Sequence, residues 1–309
     1  MSHLIGVVGL GAIAIRQHLP AIATNPDFTL VAAASLAGTV PGVPVYTDHR
    51  AMLTAHPEIT AVIVCTPPKA RLAIAADALV SGKAVMLEKP PAATPGGLAH
   101  LADIAARRGA VLHTAWHSQY NRPVERAREM LAGRTIKTVQ MIWKEDVHKW
   151  HPGQTWIWEP GGFGVFDAGI NGLSILTRIL DRPLFATGAT LHVPRDVAMP
   201  VAAQVTLSDG CGTAIAGDFD WGWQGEDTRE IVIEMVDGQR LELLKSGAVL
   251  SVNGVTALTG PRDEYGAIYR EFSALLASGR SNIDGAPLAL VADIFLAGAT
   301  VAAAPVRRA

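Results

Sequence analysis

Short apolar runs rich in β-branched residues alternate with longer Ala- and Leu-rich stretches in the first part of the chain. The apolar runs predict strands at Leu4–Val8, Thr29–Ala33, Ala61–Cys65, Ala84–Leu87 and Ala110–Thr114. Apolar residues at three- and four-residue spacing predict helices near Ile13–Ala23, His49–Ala55, Arg71–Val80 and Gly97–Arg107. Such alternation is typical of a parallel sheet covered by crossover helices. It predicts an α/β fold that begins with a Rossmann dinucleotide-binding domain over residues 1–118.

The pattern changes after Trp116. A helix predicted at Pro123–Leu131 precedes alternating apolar and polar segments, which predict strands at Thr138–Trp143, Val201–Leu207, Gly212–Asp218, Glu230–Met235 and Arg240–Leu244. Turn residues such as Asp237-Gly238 separate them, as antiparallel strands require. Residues 119–309 are therefore predicted to form an α+β domain for substrate binding and oligomerisation. Its sheet should be largely antiparallel, and a last helix is predicted at about 287–303.

Composition narrows the function classes. A length of 309 residues with 49% hydrophobic content suits two domains, and a net charge of -2 without a basic run argues against a nucleic-acid partner. Cys65 and Cys211 lie too far apart for a disulfide framework or a metal cluster, so no metal site is predicted. No run is long and apolar enough to span a membrane, and no basic targeting segment is present. We expect a cytoplasmic protein.

A glycine-rich turn follows the first predicted strand. Gly9 and Gly11, with Ala14 three residues later, match the pattern GxGxxA between a strand and a helix. In dinucleotide-binding domains the first glycine permits the tight turn, and the second lets the backbone approach the pyrophosphate. The N-terminus of the following helix attracts phosphates. We therefore predict a cofactor site that includes Gly9, Gly11, Ala12 and Ile13.

The residue that ends the second predicted strand bears on the choice between NAD and NADP. An NAD-specific site usually carries Asp or Glu there to bind the ribose 2′-hydroxyl. This chain has Ser35, which can donate to a 2′-phosphate, but the next residue, Leu36, supplies no cation. Two interpretations of Ser35 stay open: it contacts the ribose or its phosphate, or it only caps the strand.

Glu88-Lys89-Pro90-Pro91 follows the predicted strand Ala84–Leu87. Open α/β sheets bind their ligands at the carboxyl ends of their strands. A lysine there can hydrogen-bond a substrate hydroxyl and take part in proton transfer. The alternative is a solvated lysine beside a proline turn, and the spacing alone does not decide between the two.

Asp167 and Asn171 precede the apolar run Leu173–Leu180. If this segment is a helix, both side chains lie on one face, one turn apart. A buried carboxylate needs a partner, and Lys89 is a candidate. The alternative is that Asp167 merely caps a glycine-rich turn.

Four of the seven tryptophans lie within residues 143–159, beside charged residues and two histidines. Aromatic faces next to hydrogen-bonding groups are suited to sugars, which offer C–H faces and hydroxyl edges. A packing loop at an interface is the alternative. His148 and His151 lack a third ligand at usable spacing for a metal. Candidate substrate-binding residues from this segment and from other aromatic positions are His117, Glu145, His148, Trp150 and Trp223.

Together these motifs resemble the Gfo/Idh/MocA oxidoreductase family over essentially the whole chain. The resemblance rests on the GxGxxA turn, Cys65-Thr66-Pro67-Pro68, Gly82-Lys83, Glu88-Lys89-Pro90, and Gly161-Gly162 ahead of Asp167 and Asn171. Within the family, the Trp-rich stretch resembles the branch that oxidises L-arabinose and D-galactose at C1.

The resemblance implies roles for particular residues. Lys89, Asp167 and Asn171 would form the catalytic set, and Asp167 and Asn171 would also contact the sugar. Many family members carry a histidine in place of Asn171. Since an amide cannot accept a proton, the general base would be Asp167 or Lys89. The cofactor would be NADP or NAD, with NADP slightly favoured, and its further contacts would be Ser35, Thr66, Pro67, Pro68, Glu88 and Lys89.

The expected activity is NAD(P)-dependent oxidation of an aldose, L-arabinose or D-galactose, at C1 to the aldonolactone. By family analogy we expect a homodimer or a larger homo-oligomer. One alternative is an inositol or other polyol dehydrogenase of the same family. A second is a non-catalytic NAD(P)-binding sugar regulator, against which the presence of both Lys89 and Asp167 argues.

Overall fold

The computed structural model describes residues 2–261 and 263–306, apart from the side chain of Trp150. The described chain falls into two compact units. The first runs to His117 and includes the later segment Asp263–Gly285, and the second takes the chain from Ser118 and again from Ala286. The predicted division at residue 118 differs from this grouping, because it assigned that later segment to the second domain. Within the segment, Tyr269 and Phe272 pack against Phe28 of the first unit.

A six-stranded parallel sheet forms the core of the first unit. Its strands are β1 His3–Val8, β2 Phe28–Ala34, β3 Val45–Tyr46, β4 Ala61–Val64, β5 Ala84–Glu88 and β6 Leu112–Ala115. Their order across the sheet is β3-β2-β1-β4-β5-β6. Ile5, Val7 and Ile63 are completely buried, as expected where helices cover both faces of a parallel sheet. The predicted Rossmann fold is confirmed, and its topological switch point lies between β1 and β4.

The connecting helices of this unit begin and end where local chemistry favours it. They are α1 Leu19–Thr24, α2 His49–Ala55, α3 Pro68–Val80 and α4 Pro95–Arg108, and a π-helical turn at Ala14–His18 precedes α1. The Thr94 side chain caps α4 by accepting a hydrogen bond from the Gly97 N–H at 3.1 Å. Gly109 ends α4 in the left-handed region, with φ of 61°.

The second unit is built on a sheet of nine described strands. They are β7 Ile136–Lys144, β8 Phe185–Pro194, β9 Ala202–Ser208, β10 Ala214–Asp220, β11 Thr228–Met235, β12 Arg240–Leu244, β13 Val249–Val252, β14 Val255–Thr259 and β15 Gly298–Ala303. The order is β14-β13-β12-β11-β7-β10-β9-β8-β15. Neighbours are antiparallel except β7 with β10 and β8 with β15. The predicted, largely antiparallel sheet is confirmed; β8, β13, β14 and β15 were not predicted.

The remaining helices of the described chain are α5 Arg122–Leu131, α6 Val147–Trp150, α7 Phe166–Ile179, α8 Glu264–Ser278 and α9 Ala286–Ala297. The predicted last helix, at about 287–303, is wrong in its last third. That helix ends at Ala297, and the chain continues as β15, which pairs with β8 in parallel. Gly298 weakens the helix, while the β-branched Thr300 and Val301 favour a strand. Within the described residues, helix length and hydropathy fall short of what a membrane crossing needs.

Candidate active site

The glycine turn after β1 has the geometry that a dinucleotide site needs. Gly9 has φ of 94°, and a Cβ atom on it would lie 2.8 Å from the backbone nitrogen of Thr66. Only glycine therefore fits between the ends of β1 and β4. A Cβ atom on Gly11 would instead meet no atom within 4 Å, so this part of the turn is open to a ligand.

Thr66 lies where β4 ends and α3 begins. Its Oγ1 atom is buried and has no hydrogen-bond partner among the residues that the structure describes. A buried polar atom of this kind needs a polar partner, which a bound cofactor can supply. Together with the open turn at Gly11, this hydroxyl fits a dinucleotide. Pro67 occupies the N-cap position of α3 without a side-chain hydrogen bond, and Pro68 is the first residue of the helix.

Ser35 follows β2 and makes local contacts. Its Oγ atom accepts a hydrogen bond from the Leu10 N–H at 3.3 Å and donates to the Ala37 carbonyl. The side chain therefore ties the glycine turn to the end of β2, in keeping with the capping interpretation. Contact with a ribose or its phosphate stays a prediction.

Glu88, at the end of β5, lies in a buried polar cluster that the sequence did not predict. Its Oε1 atom accepts a hydrogen bond from the Tyr265 hydroxyl at 2.6 Å and lies 3.1 Å from His18 Nε2. Its Oε2 atom accepts from the Lys89 N–H at 2.8 Å. The other ring nitrogen of His18 lies 2.9 Å from the Tyr269 hydroxyl. Glu88 was predicted to contact the cofactor, but both carboxylate oxygens have partners within the protein.

The electrostatics of this cluster favour an ion pair. Burial raises the pKa of Glu88, but the hydrogen bond and charge of His18, with further help from His117 and Arg71, outweigh it and lower the pKa to about 2. Burial lowers the pKa of His18, but Cys65, Tyr269 and Glu88 outweigh it and raise the pKa well above its usual value. A carboxylate and an imidazolium are therefore paired in the core of the first unit.

Arg71 forms hydrogen bonds to the backbone that follows β4 and to the backbone at the end of β5. Its buried guanidinium donates to the Thr66 carbonyl at 2.6 Å, to the Glu88 carbonyl at 2.5 Å, and to the Pro90 carbonyl. Lys89 lies between two of these anchored carbonyls and is half-buried. The backbone that carries the lysine is thus held from both sides.

His117 lies at the end of the first unit, after β6. Its ring stacks on Tyr265, with centroids 5.7 Å apart and an angle of 18° between the planes. Burial lowers the pKa of His117, and the charge on Lys89 acts in the same direction, although Glu88 opposes them. The ring is therefore favoured in its neutral form, which can both donate and accept a hydrogen bond.

In the second unit, α7 carries both predicted polar residues, Asp167 in its first turn and Asn171 one turn later. The helix packs closely on the sheet: a Cβ atom on Gly169 would lie 2.6 Å from the Phe219 ring, and one on Gly172 would lie 2.7 Å from both Met141 and Trp143. Asp167 is buried, and a helix N-terminus stabilises its negative charge. The N-cap residue of this helix is Val165, whose side chain makes no capping hydrogen bond.

The structure gives Asp167 a histidine neighbour. Its Oδ2 atom lies 3.4 Å from Nε2 of His151, which packs edge-on against Trp221 with ring centroids 5.0 Å apart. His151 is not among the candidate site residues predicted from the sequence, where it appears only as part of the Trp-rich segment and as a metal ligand that lacks a third partner. A backbone hydrogen bond of 2.9 Å from Gly164 to Ile157 folds the Trp-rich segment onto the turn before α7. The contact between His151 and Asp167 depends on this folding of the segment, which leaves no periodic pattern in the sequence.

The other predicted substrate-binding residues of this unit differ in burial and in their hydrogen-bond partners. Glu145 is buried, accepts from the Trp221 indole at 3.1 Å and pairs with Arg229 at 2.5 Å, so its carboxylate has partners within the protein. Trp223 is half-buried, and its indole donates to the Glu226 carbonyl at 2.9 Å. His148 is half-buried in α6. The side chain of Trp150 lies outside the described residues.

The fold and these sites define a class: two-unit oxidoreductases with a nicotinamide dinucleotide site on a parallel sheet. A family model described as an oxidoreductase family with an NAD-binding Rossmann fold, Gfo/Idh/MocA, matches residues 4–116. The galactose 1-dehydrogenase of Pseudomonas fluorescens is 42% identical over 297 residues, which cover 96% of each chain. The chain therefore belongs to the Gfo/Idh/MocA family and is an oxidoreductase, as the motifs predicted.

Two further relatives bear on function. The crystal structure of the D-galactose-1-dehydrogenase from Rhizobium etli is 46% identical, with a TM-score of 0.94 over 99% of both chains. The D-glucoside 3-dehydrogenase of Escherichia coli K12 is 30% identical over 141 residues, which cover 43% of this chain and 40% of that protein.

Proposed function

We propose that this enzyme oxidises an aldose, D-galactose or L-arabinose, at C1 to the aldonolactone, with NADP or NAD as the hydride acceptor. The proposal rests chiefly on similarity over 96% of the chain to a galactose 1-dehydrogenase. It is supported by a buried carboxylate and an amide on one helix beside an aromatic segment, groups that suit a sugar. By family analogy the enzyme acts as a homodimer or a larger homo-oligomer.

The first unit holds the cofactor. The glycine turn at Gly9 and Gly11 would receive the pyrophosphate, and the buried hydroxyl of Thr66 would gain its missing partner. When bound, the nicotinamide supplies the hydride acceptor. In this unit Lys89, held by its anchored backbone, donates to the anomeric oxygen and stabilises negative charge there.

The second unit supplies the proton acceptor. Asp167 takes the proton of the anomeric hydroxyl, and one well-placed base contributes roughly 10²–10⁴-fold to the rate. Asn171, one turn later on α7, orients a neighbouring hydroxyl because its amide can donate and accept but cannot take up a proton. Loss of the proton and of the hydride leaves a carbonyl at C1, which is the lactone of the cyclic sugar.

The choice of sugar follows from hydroxyl geometry. L-Arabinopyranose matches D-galactopyranose from C1 to C4 and lacks only the hydroxymethyl group at C5. D-Glucose differs in the orientation of its C4 hydroxyl. A site that binds an axial hydroxyl leaves buried polar groups unpaired when the hydroxyl is equatorial, and such mismatches are rejected strongly.

A panel of aldoses and inositols, assayed with NAD and with NADP by absorbance of the reduced nicotinamide, tests the proposal. We expect turnover of D-galactose and L-arabinose and much lower kcat/KM for D-glucose. Comparable values for glucose and galactose, or activity on inositols alone, would contradict the proposed substrate. If the protein bound the cofactor but reduced it with none of the sugars, the alternative of a non-catalytic, NAD(P)-binding sugar regulator would be favoured.

A further inference from the structure

A line of side chains in the second unit leads from the buried Asp167 towards solvent. Asp167 Oδ2 lies 3.4 Å from His151 Nε2, and His151 Nδ1 lies 3.3 Å from Gln154 Oε1. The Trp156 indole donates to the same Gln154 oxygen at 3.0 Å. The exposed fraction of the side chain is 3% for Asp167 and 20% for His151. The histidine is therefore in contact with both the buried carboxylate and the solvent.

These contacts fix the position of one proton of His151. An indole N–H only donates, so the Gln154 atom that Trp156 contacts must be the amide oxygen. That oxygen only accepts, so His151 Nδ1 must carry the proton of that hydrogen bond. In a neutral imidazole the other nitrogen, Nε2, is then an acceptor, and it faces Asp167. The two atoms lie 3.4 Å apart, so a proton received by Asp167 has only a short distance to move to Nε2.

The ring of His151 is held in place by packing. It lies edge-on against Trp221, which is completely buried. Trp221 is in turn fixed by the hydrogen bond from its indole to Glu145 and by its contact with Trp158. A ring fixed in this way keeps Nε2 directed at the carboxylate.

We propose that His151 is a positioning residue that acts through Asp167 and carries its proton to solvent. The proposal rests on the proposed function, because it takes Asp167 as the proton acceptor. As the C–H bond at the reacting carbon breaks, its electron pair leaves with the hydride for the nicotinamide, and the hydroxyl proton goes to Asp167 Oδ2. The proton then passes to His151 Nε2, and the imidazolium releases it to water. Asp167 is thereby ready for the next turnover.

Kinetics of two variants test the relay. His151→Gln keeps an amide N–H that can face Asp167 but cannot take up a proton, whereas His151→Ala removes the ring. We expect kcat to fall roughly 10- to 100-fold in His151→Gln with KM within about twofold, and added imidazole to restore part of the kcat of His151→Ala. A kcat for His151→Gln within about twofold of the unsubstituted enzyme would overturn the proposal.

His192 offers a matched control. Its Nε2 atom lies 2.7 Å from the Gln204 amide oxygen, and the two residues lie on strands β8 and β9, outside α7 and the Trp-rich segment. His192→Gln should leave kcat unchanged and should show no response to imidazole. If kcat fell as much in His192→Gln as in His151→Gln, the loss would reflect a general effect on the fold of removing a histidine that contacts a glutamine. That result would overturn the relay.

A second measurement needs no turnover. Nitrogen NMR of protein labelled with ¹⁵N-histidine reports which ring nitrogen carries the proton. We expect the Nδ1–H form at His151, and a shift of its Nε2 signal in Asp167→Asn. A proton on Nε2 with a bare Nδ1 would overturn the relay. Absence of sugar oxidation by the unsubstituted enzyme would count against the proposed function, and the NMR result would still decide the protonation of His151.

Discussion

Each unit of the protein contains a buried carboxylate that is paired with a histidine, Glu88 in the first and Asp167 in the second, and the two pairs differ in their access to water. In the first unit, Glu88 and His18 lie 3.1 Å apart with exposed side-chain fractions of 2% and 0%. In the second unit, Asp167 and His151 lie 3.4 Å apart, and the histidine is 20% exposed. The first pair is thus sealed in a core, whereas the second reaches solvent through one partner.

This difference in access suits the first pair to a structural role and the second to the chemical role that we propose for it. The sealed pair is surrounded by Tyr265, Tyr269 and the Lys89 N–H, so its carboxylate is satisfied in a single protonation state. Such a pair holds the backbone at Lys89 but cannot exchange protons readily. The open pair has a buried acceptor next to a base that water can reach. A group that must gain and lose a proton in every turnover needs this second arrangement.

The largest expected effect lies at the open pair. Asp167→Asn removes the proposed proton acceptor while keeping the shape of the side chain, so kcat should fall by roughly 10²–10⁴-fold with little change in Tm. Steady-state kinetics on D-galactose and a thermal melt measure the two quantities. If Tm fell while kcat stayed, Asp167 would only cap the start of α7, and the comparison between the pairs would fail.

A smaller effect, on stability, is expected at the sealed pair. Because the pKa of Glu88 is lowered from 4.5 to about 2, its contribution to the free energy of unfolding is present above pH 4.5 and is lost as the pH falls towards 2. Because the pKa of His18 is raised well above 6.5, its contribution is present below pH 6.5 and is lost as the pH rises through the folded-state pKa. The pair therefore stabilises the fold most between these limits.

Chemical unfolding from pH 6.5 to 9 measures this loss. Above pH 6.5 the folded state keeps a proton that the unfolded state has released, so the free energy of unfolding should fall by about 1.4 kcal/mol per pH unit until His18 deprotonates. His18→Gln keeps a polar side chain that does not titrate and should lack this slope. Parallel curves for the two proteins would show that His18 is not protonated in the core.

The features that could be predicted from the sequence are those set by local spacing. The glycine turn lies where GxGxxA placed it, Lys89 follows β5, and Asp167 and Asn171 share α7. The partners of Glu88 could not be predicted, because His18 and Tyr265 are 70 and 177 residues away in the chain. Contacts at such separations depend on tertiary packing and leave no periodic pattern.

The errors at the C-terminal end have a similar cause. An amphipathic pattern at Glu264–Ser278 indicates a buried face but does not say which core receives it. Likewise, the Ala-rich run after Ala286 resembles one long helix, yet Gly298, Thr300 and Val301 disfavour its second part, and pairing with β8 makes Gly298–Ala303 a strand. In both places the tertiary partner decides the outcome.

The position of hydride transfer tests the central claim most directly, since relatives are named for oxidation at C1 and at C3. D-Galactose labelled with deuterium at C1, and a second sample labelled at C3, would be incubated with the enzyme and the oxidised cofactor. Mass spectrometry of the reduced nicotinamide then locates the transferred atom. The account predicts deuterium in the cofactor from the C1-labelled sugar alone. Transfer from the C3-labelled sugar would contradict it.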